Sequence, residues 1–95
     1  MAPFTNVYIS MRTRQYVQGA LADGTLVSPD FERDNDGQHP ESKRDLDTPK
    51  SFISEVCQIW TLDMGLTEQR EAEIKAIVTQ VVTEELPEDL RQYLA

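Results

Sequence analysis

Residues 66–86 read LTEQREAEIKAIVTQVVTEEL, and the fold turns on whether this stretch is a strand or a helix. Its apolar residues, Ile74, Ile77, Val78, Val81 and Val82, are all β-branched, the type that suits a pleated, half-buried strand. Their spacing is that of one helical face: i, i+3, i+4, i+7, i+8. The run is also far longer than an ordinary strand. Thr67 is a good N-cap, and Glu68 and Glu71 stand near the positive end of the helix dipole. Leu86 extends the stripe and Pro87 ends it. The spacing therefore predicts a helix, whose five buried β-branched side chains contribute on the order of 10 kcal/mol before the entropy of ordering is subtracted.

Immediately upstream, DLDTPKSFISEVCQIWTLDMG (45–65) carries its own start and stop. Thr48 or Asp47 can cap, and Pro49 fits the first helical position, where a missing N–H loses nothing. Phe52, Ile53, Val56, Ile59 and Trp60 make an apolar stripe, and Gly65 can supply a left-handed cap. The short 64–66 connection makes the two helices antiparallel neighbours. Downstream, PEDLRQYLA (87–95) can start a short last helix with Leu90, Tyr93 and Leu94 turned inward.

The N-terminal part, 1–28, is less decided. TNVYISMR (5–12) alternates Val7, Ile9 and Met11 with polar or amphipathic neighbours, which predicts a strand. TRQYVQGALADG (13–24) fits a helix capped by Thr13, with Tyr16, Val17, Ala20 and Leu21 on one face and Gly24 closing it. It also fits, slightly less well, a hairpin arm turning at Asp23-Gly24. Residues 29–48 are too polar to bury themselves and are expected to form an exposed loop. The expected fold is mostly α in a single domain, 1–95. A C-terminal antiparallel helical hairpin and short terminal helix (49–95) follow a small N-terminal strand/helix or β-hairpin element. An α+β arrangement is the alternative.

Charge limits the function. The chain has 17 acids against 9 Lys and Arg, a net charge of −8. Residues 1–50 hold 8 acids and 6 bases (−2), and residues 51–95 hold 9 and 3 (−6). Direct nucleic-acid binding needs clustered cations and is not expected. The outline of a helix-turn-helix over 52–78 fails on the same ground, since its second helix opens TEQREAE. No apolar run is long enough to span a bilayer, and no secretory signal opens the chain. One cysteine rules out an intrachain disulfide and fits a reducing compartment, so a cytoplasmic location is expected.

Three features could carry chemistry. Placing Gly37 at position 6 of a calcium loop puts Glu32, Asp34 and Asp36 at positions 1, 3 and 5, but Pro40 at 9 and Lys43 at 12, where a bidentate glutamate is required. His39, the only histidine, sits in the most polar part of the chain, where Asp36 and Glu41 could supply charge but nothing suggests the shielded pocket a catalytic base needs. Cys57 lies on the rim of an apolar stripe beside Glu55, which would raise its pKa. No catalytic residue, cofactor or metal ligand is assigned.

What remains is an acidic set: Glu68, Glu71, Glu73, Glu84, Glu85, Glu88 and Asp89, with Tyr93 as an aromatic anchor. Tyr8 or Tyr16 is a further candidate for that anchoring role. Together these residues suggest a non-enzymatic module that docks on the basic surface of a protein partner and occludes it. In size, acidity and lack of a catalytic set the chain is similar to phage-encoded inhibitors, antitoxins and immunity proteins, a likeness of composition alone. A structural or assembly subunit, or a homodimer paired through its apolar helices, is the alternative. A small enzyme or metal protein centred on 30–45 is the remote one.

Overall fold

The computed structural model describes residues 4–29 and 46–94. Four α-helices occupy them: α1 (Asn6–Asp23), α2 (Pro49–Thr61), α3 (Glu68–Glu85) and α4 (Glu88–Arg91), followed by a 3-10 turn at Gln92–Leu94. The mostly helical class and the C-terminal hairpin are as the spacing required.

Each long helix starts on a threonine. Thr5 accepts a hydrogen bond from the Tyr8 backbone N–H, Thr48 from Ser51 and Thr67 from Arg70. At α2 the cap is reciprocal, because the Ser51 hydroxyl also accepts from the Thr48 backbone N–H at 2.9 Å, and Pro49 takes the first turn. Thr48→Ala removes this box and should cost about 1 kcal/mol. In a domain this size that is a fall in Tm of about 4–8 °C, readable by circular dichroism. An unchanged melt would mean that α2 is fixed by packing alone.

The expected strand at 5–12 is not there: α1 is one helix from Asn6 to Asp23. Three alternating residues were outweighed by a helical spacing that runs through the whole segment. Ile9, Thr13 and Val17 recur at steps of four and are all buried, while Val7, which a strand would place beside Ile9, is 78% exposed. Thr13 is correspondingly no cap but an interior residue of the helix. The Asp23-Gly24 hairpin is absent as well. Gly24 does take a positive φ of 75°, but as the left-handed cap of α1. Its N–H bonds back to the Leu21 carbonyl and that of Thr25 to Ala20, which satisfies the last carbonyls of the helix.

Past the cap, the chain leaving α1 pairs with the chain entering α2. Val27 N–H donates to the Asp47 carbonyl and Asp47 N–H to the Thr25 carbonyl, both at 2.8 Å. This parallel bridge, centred on Leu26 and Asp47, ties the ends of the polar 29–48 segment together. Most of that segment, including Asp34, Asp36 and His39, lies outside the described residues. At its far end α2 stops on Leu62 in extended conformation. The tight connection then uses two left-handed residues, Asp63 (φ 60°) and Gly65 (φ 66°), so Gly65 takes the expected conformation but in the connection rather than as the cap of α2.

The helices make an up-down-up bundle. Asn6 meets Arg70, and Arg14 meets Glu84 and Glu85, so α1 runs parallel to α3. The short loop folds α2 antiparallel to both. The core between them is Ile9 and Val17 from α1, Phe52, Val56 and Trp60 from α2, and Ile74, Val78 and Val82 from α3, closed by Leu26, Leu86 and Leu90. A buried polar contact joins two of the helices: the Trp60 indole N–H of α2 donates to the Thr13 hydroxyl of α1 at 3.2 Å. Ile59 and Ile77, expected in the two stripes, sit at their edges, with Ile59 exposed and Ile77 half-buried.

Candidate functional site

The acidic residues do not gather into one patch. Glu68 and Glu71 stand at the start of α3, while Glu84 and Glu85 stand at its end, followed by Glu88 and Asp89 on α4. Seventeen residues of helix rise separate the two ends by roughly 25 Å. The bundle also uses several of these carboxylates internally. Arg14 of α1 pairs with Glu85 at 3.2 Å and Glu84 at 3.6 Å. Gln18 donates to Glu85 at 3.0 Å, leaving that side chain only partly exposed. Glu73 pairs with Arg70 at 3.4 Å. Glu68, Glu71, Glu88 and Asp89 carry no side-chain ion pair among the described residues. Tyr93 is half-buried in the closing turn and already has an interaction partner.

A different surface stands out at one end of the bundle. There α1 begins, α2 ends and α3 begins. The Phe4 ring meets Trp60 edge-on with centroids 4.9 Å apart, and stacks on Tyr8 at 5.4 Å. Arg70 of α3 holds this end in place by donating to the Phe4 carbonyl at 3.0 Å and the Asn6 side chain at 2.6 Å. Around the cluster, Val7 (78% exposed), Leu62 (63%) and Met64 (41%) point to solvent. With Phe4, Tyr8, Met11 and Ile59 they are the large exposed hydrophobics among the described residues, and every one falls within 4–11 or 59–64. Asp63, Glu68 and Glu71 lie at the same end, so the apolar surface has an acidic border.

Sequence reasoning did not single out this surface, although a signal was present. Phe4, Val7, Tyr8 and Met11 stand at i, i+3, i+4 and i+7, a helical stripe hidden when the segment is read with a period of two. With 3.6 residues per turn this stripe centres on the side of α1 opposite the buried Ile9, Thr13 and Val17, so the first half of α1 is apolar on more than its core face.

The remaining groups offer little chemistry. Cys57 is half-buried and unpaired. Burial raises its thiol pKa, with Lys75 opposing in part, so the thiolate is scarce near neutral pH. The cause is desolvation rather than Glu55. Among the described residues no three His, Cys, Asp or Glu side chains are placed to hold a metal, and no helix is long and apolar enough to cross a membrane. Comparison with protein-family models, with curated proteins and with solved structures gave no match.

Proposed function

We propose that this chain is a non-enzymatic protein-binding module, and that it binds through the apolar end of its bundle. The observation that carries the reading is the one-sided distribution of exposed hydrophobics. Scattered singly, such residues need no explanation, but gathered at one end around an aromatic cluster they resemble the core of an interface. Tyr8 and Phe4 are preformed anchors, since their rings are already ordered against Trp60 and little entropy is lost on docking.

The acidic border defines the partner. Asp63, Glu68 and Glu71 favour a protein whose apolar pocket is set among Lys and Arg, and their charge speeds encounter more than it lengthens the complex's lifetime. Occlusion of a basic site on that partner is the mechanism this arrangement would serve. Self-association through the same end is disfavoured, because a two-fold contact sets the same patch against itself and would bring one acidic border against the other. The unpaired cysteine fits a reducing compartment, and we place the module in the cytoplasm on that ground.

The test is affinity capture from a lysate of the source cells with three baits. These are the wild type, Val7→Glu/Leu62→Glu, and Glu68→Lys/Glu71→Lys. A partner recovered by the wild type should be lost with the first variant and weakened with the second, with a yield that falls as salt rises. Recovery of the same proteins by all three baits would overturn the reading. So would a homodimer in sedimentation that Val7→Glu/Leu62→Glu dissolves.

A further inference from the structure

The surface between α2 and α3 has the opposite character to the rest of the molecule. A cleft of about 640 Å³ runs there, floored by Ile53, Cys57 and Leu94 and lined by Lys50 and Lys75, with no carboxylate among the described residues of its wall. In a chain of net charge −8 that is unexpected. The other described cations are all engaged: Arg12 stacks over Tyr16, Arg14 and Arg70 hold glutamates, and Arg91 donates to the carbonyls of Thr83 and Leu86. Lys50 and Lys75 make no ion pair or hydrogen bond among the described residues, and both face the same cleft.

We infer that this cleft is a second binding site, and that it receives an acidic amphipathic helix from a protein partner. Its shape is a groove along two packed helices, the kind of seat in which a helix lays its apolar face. Lys75 lies close enough to Cys57 for its charge to act on the thiol, and Lys50 precedes Cys57 by seven residues on α2. Helix rise therefore roots Lys50 roughly 10 Å along the groove from Cys57, beside which the Lys75 charge acts. A carboxylate held at one end leaves the lysine rooted at the other unmet. Two acids seven residues apart on a guest helix match that separation, and the residues between them fall on Ile53, Cys57 and Leu94. A single-headed amphiphile such as a fatty acid would fill the floor but satisfy only one lysine.

A suitable probe is a fluorescein-labelled, alanine-based helical peptide with Glu at i and i+7 and Leu at i+3 and i+4. It is titrated by anisotropy at low salt into the full chain and two variants, Lys50→Gln/Lys75→Gln and Gln69→Glu/Ala76→Glu. Both variants change the net charge by −2, but Gln69 and Ala76 lie on the exposed side of α3, outside the cleft. The lysine variant should weaken binding roughly tenfold, and the control variant should change it far less. Because Cys57 is the only cysteine, its alkylation by iodoacetamide at mildly alkaline pH reports occupancy and should slow when peptide is bound. The inference is overturned if the peptide fails to bind at millimolar concentration, if its Glu→Gln version binds equally well, or if both variants lose affinity alike. It is also overturned if dodecanoate alone protects Cys57 and displaces the peptide, which would make a small amphiphile the occupant.

Discussion

Trp60→Ala should leave the chain at or beyond the edge of folding at room temperature. Trp60 is 3% exposed and joins the hydrophobic core contributed by all three long helices. Phe4, Tyr8 and Tyr16 pack around it with ring centroids 4.9–6.2 Å away. Truncating a core aromatic to alanine costs about 3–5 kcal/mol. The Thr13 hydroxyl, fully buried and bonded to the indole, would lose that donor at a further cost of about 1–3 kcal/mol. A domain this size commonly has only about 5–15 kcal/mol in total. Far-UV circular dichroism through a urea titration reads the outcome, since the variant has no tryptophan to follow. A loss below about 1.5 kcal/mol would mean that the core does not depend on Trp60.

The Trp60–Thr13 bond can be isolated from the packing. Trp60→Phe and Thr13→Val each strand one buried polar group, while the double variant strands neither. The double variant should therefore be more stable than the sum of the single losses predicts, by about 1 kcal/mol or more.

That same bond shows why part of the fold was hidden in the sequence. α2 and α3 were legible because their signals are local: Thr48-Pro49, Thr67 and Pro87 punctuate two stripes of helical spacing. Thr13 reads as a cap because a threonine in an otherwise amphipathic run favours helix ends. Its actual partner is 47 residues away, and nothing nearby in the chain announces it. Asp23-Gly24 was ambiguous for a related reason. A hairpin turn and a helix cap both need a residue at positive φ, so the dipeptide indicates a chain reversal without saying which kind. The acidic set had the same limit. Its sign and number were readable, but the withdrawal of Glu85 into a pair with Arg14 and Gln18 depends on α1 lying beside α3.

The sharpest contrast lies two residues apart on α1. Ile9→Asp should unfold the protein, whereas Val7→Asp should leave its stability within about 0.5 kcal/mol of wild type. Ile9 is 0% exposed, so the aspartate would replace a filled core position with a desolvated carboxylate among apolar side chains. The cavity loss of about 2–5 kcal/mol is joined by the cost of burying or protonating the acid. Val7 is 78% exposed, and a charge there meets water. Early in α1 it also lies near the positive end of the helix dipole, which offsets part of aspartate's weaker helix propensity. On a strand the two positions would share a face and respond alike, so equal losses in a urea titration would reject the helix and the apolar end built on it. The same pair separates folding from function. Val7→Asp should melt like the wild type yet fail to hold the partner that the apolar end captures. A Val7→Asp protein that keeps that partner would show that the exposed stripe of Phe4, Val7, Tyr8 and Met11 is an incidental feature of the surface.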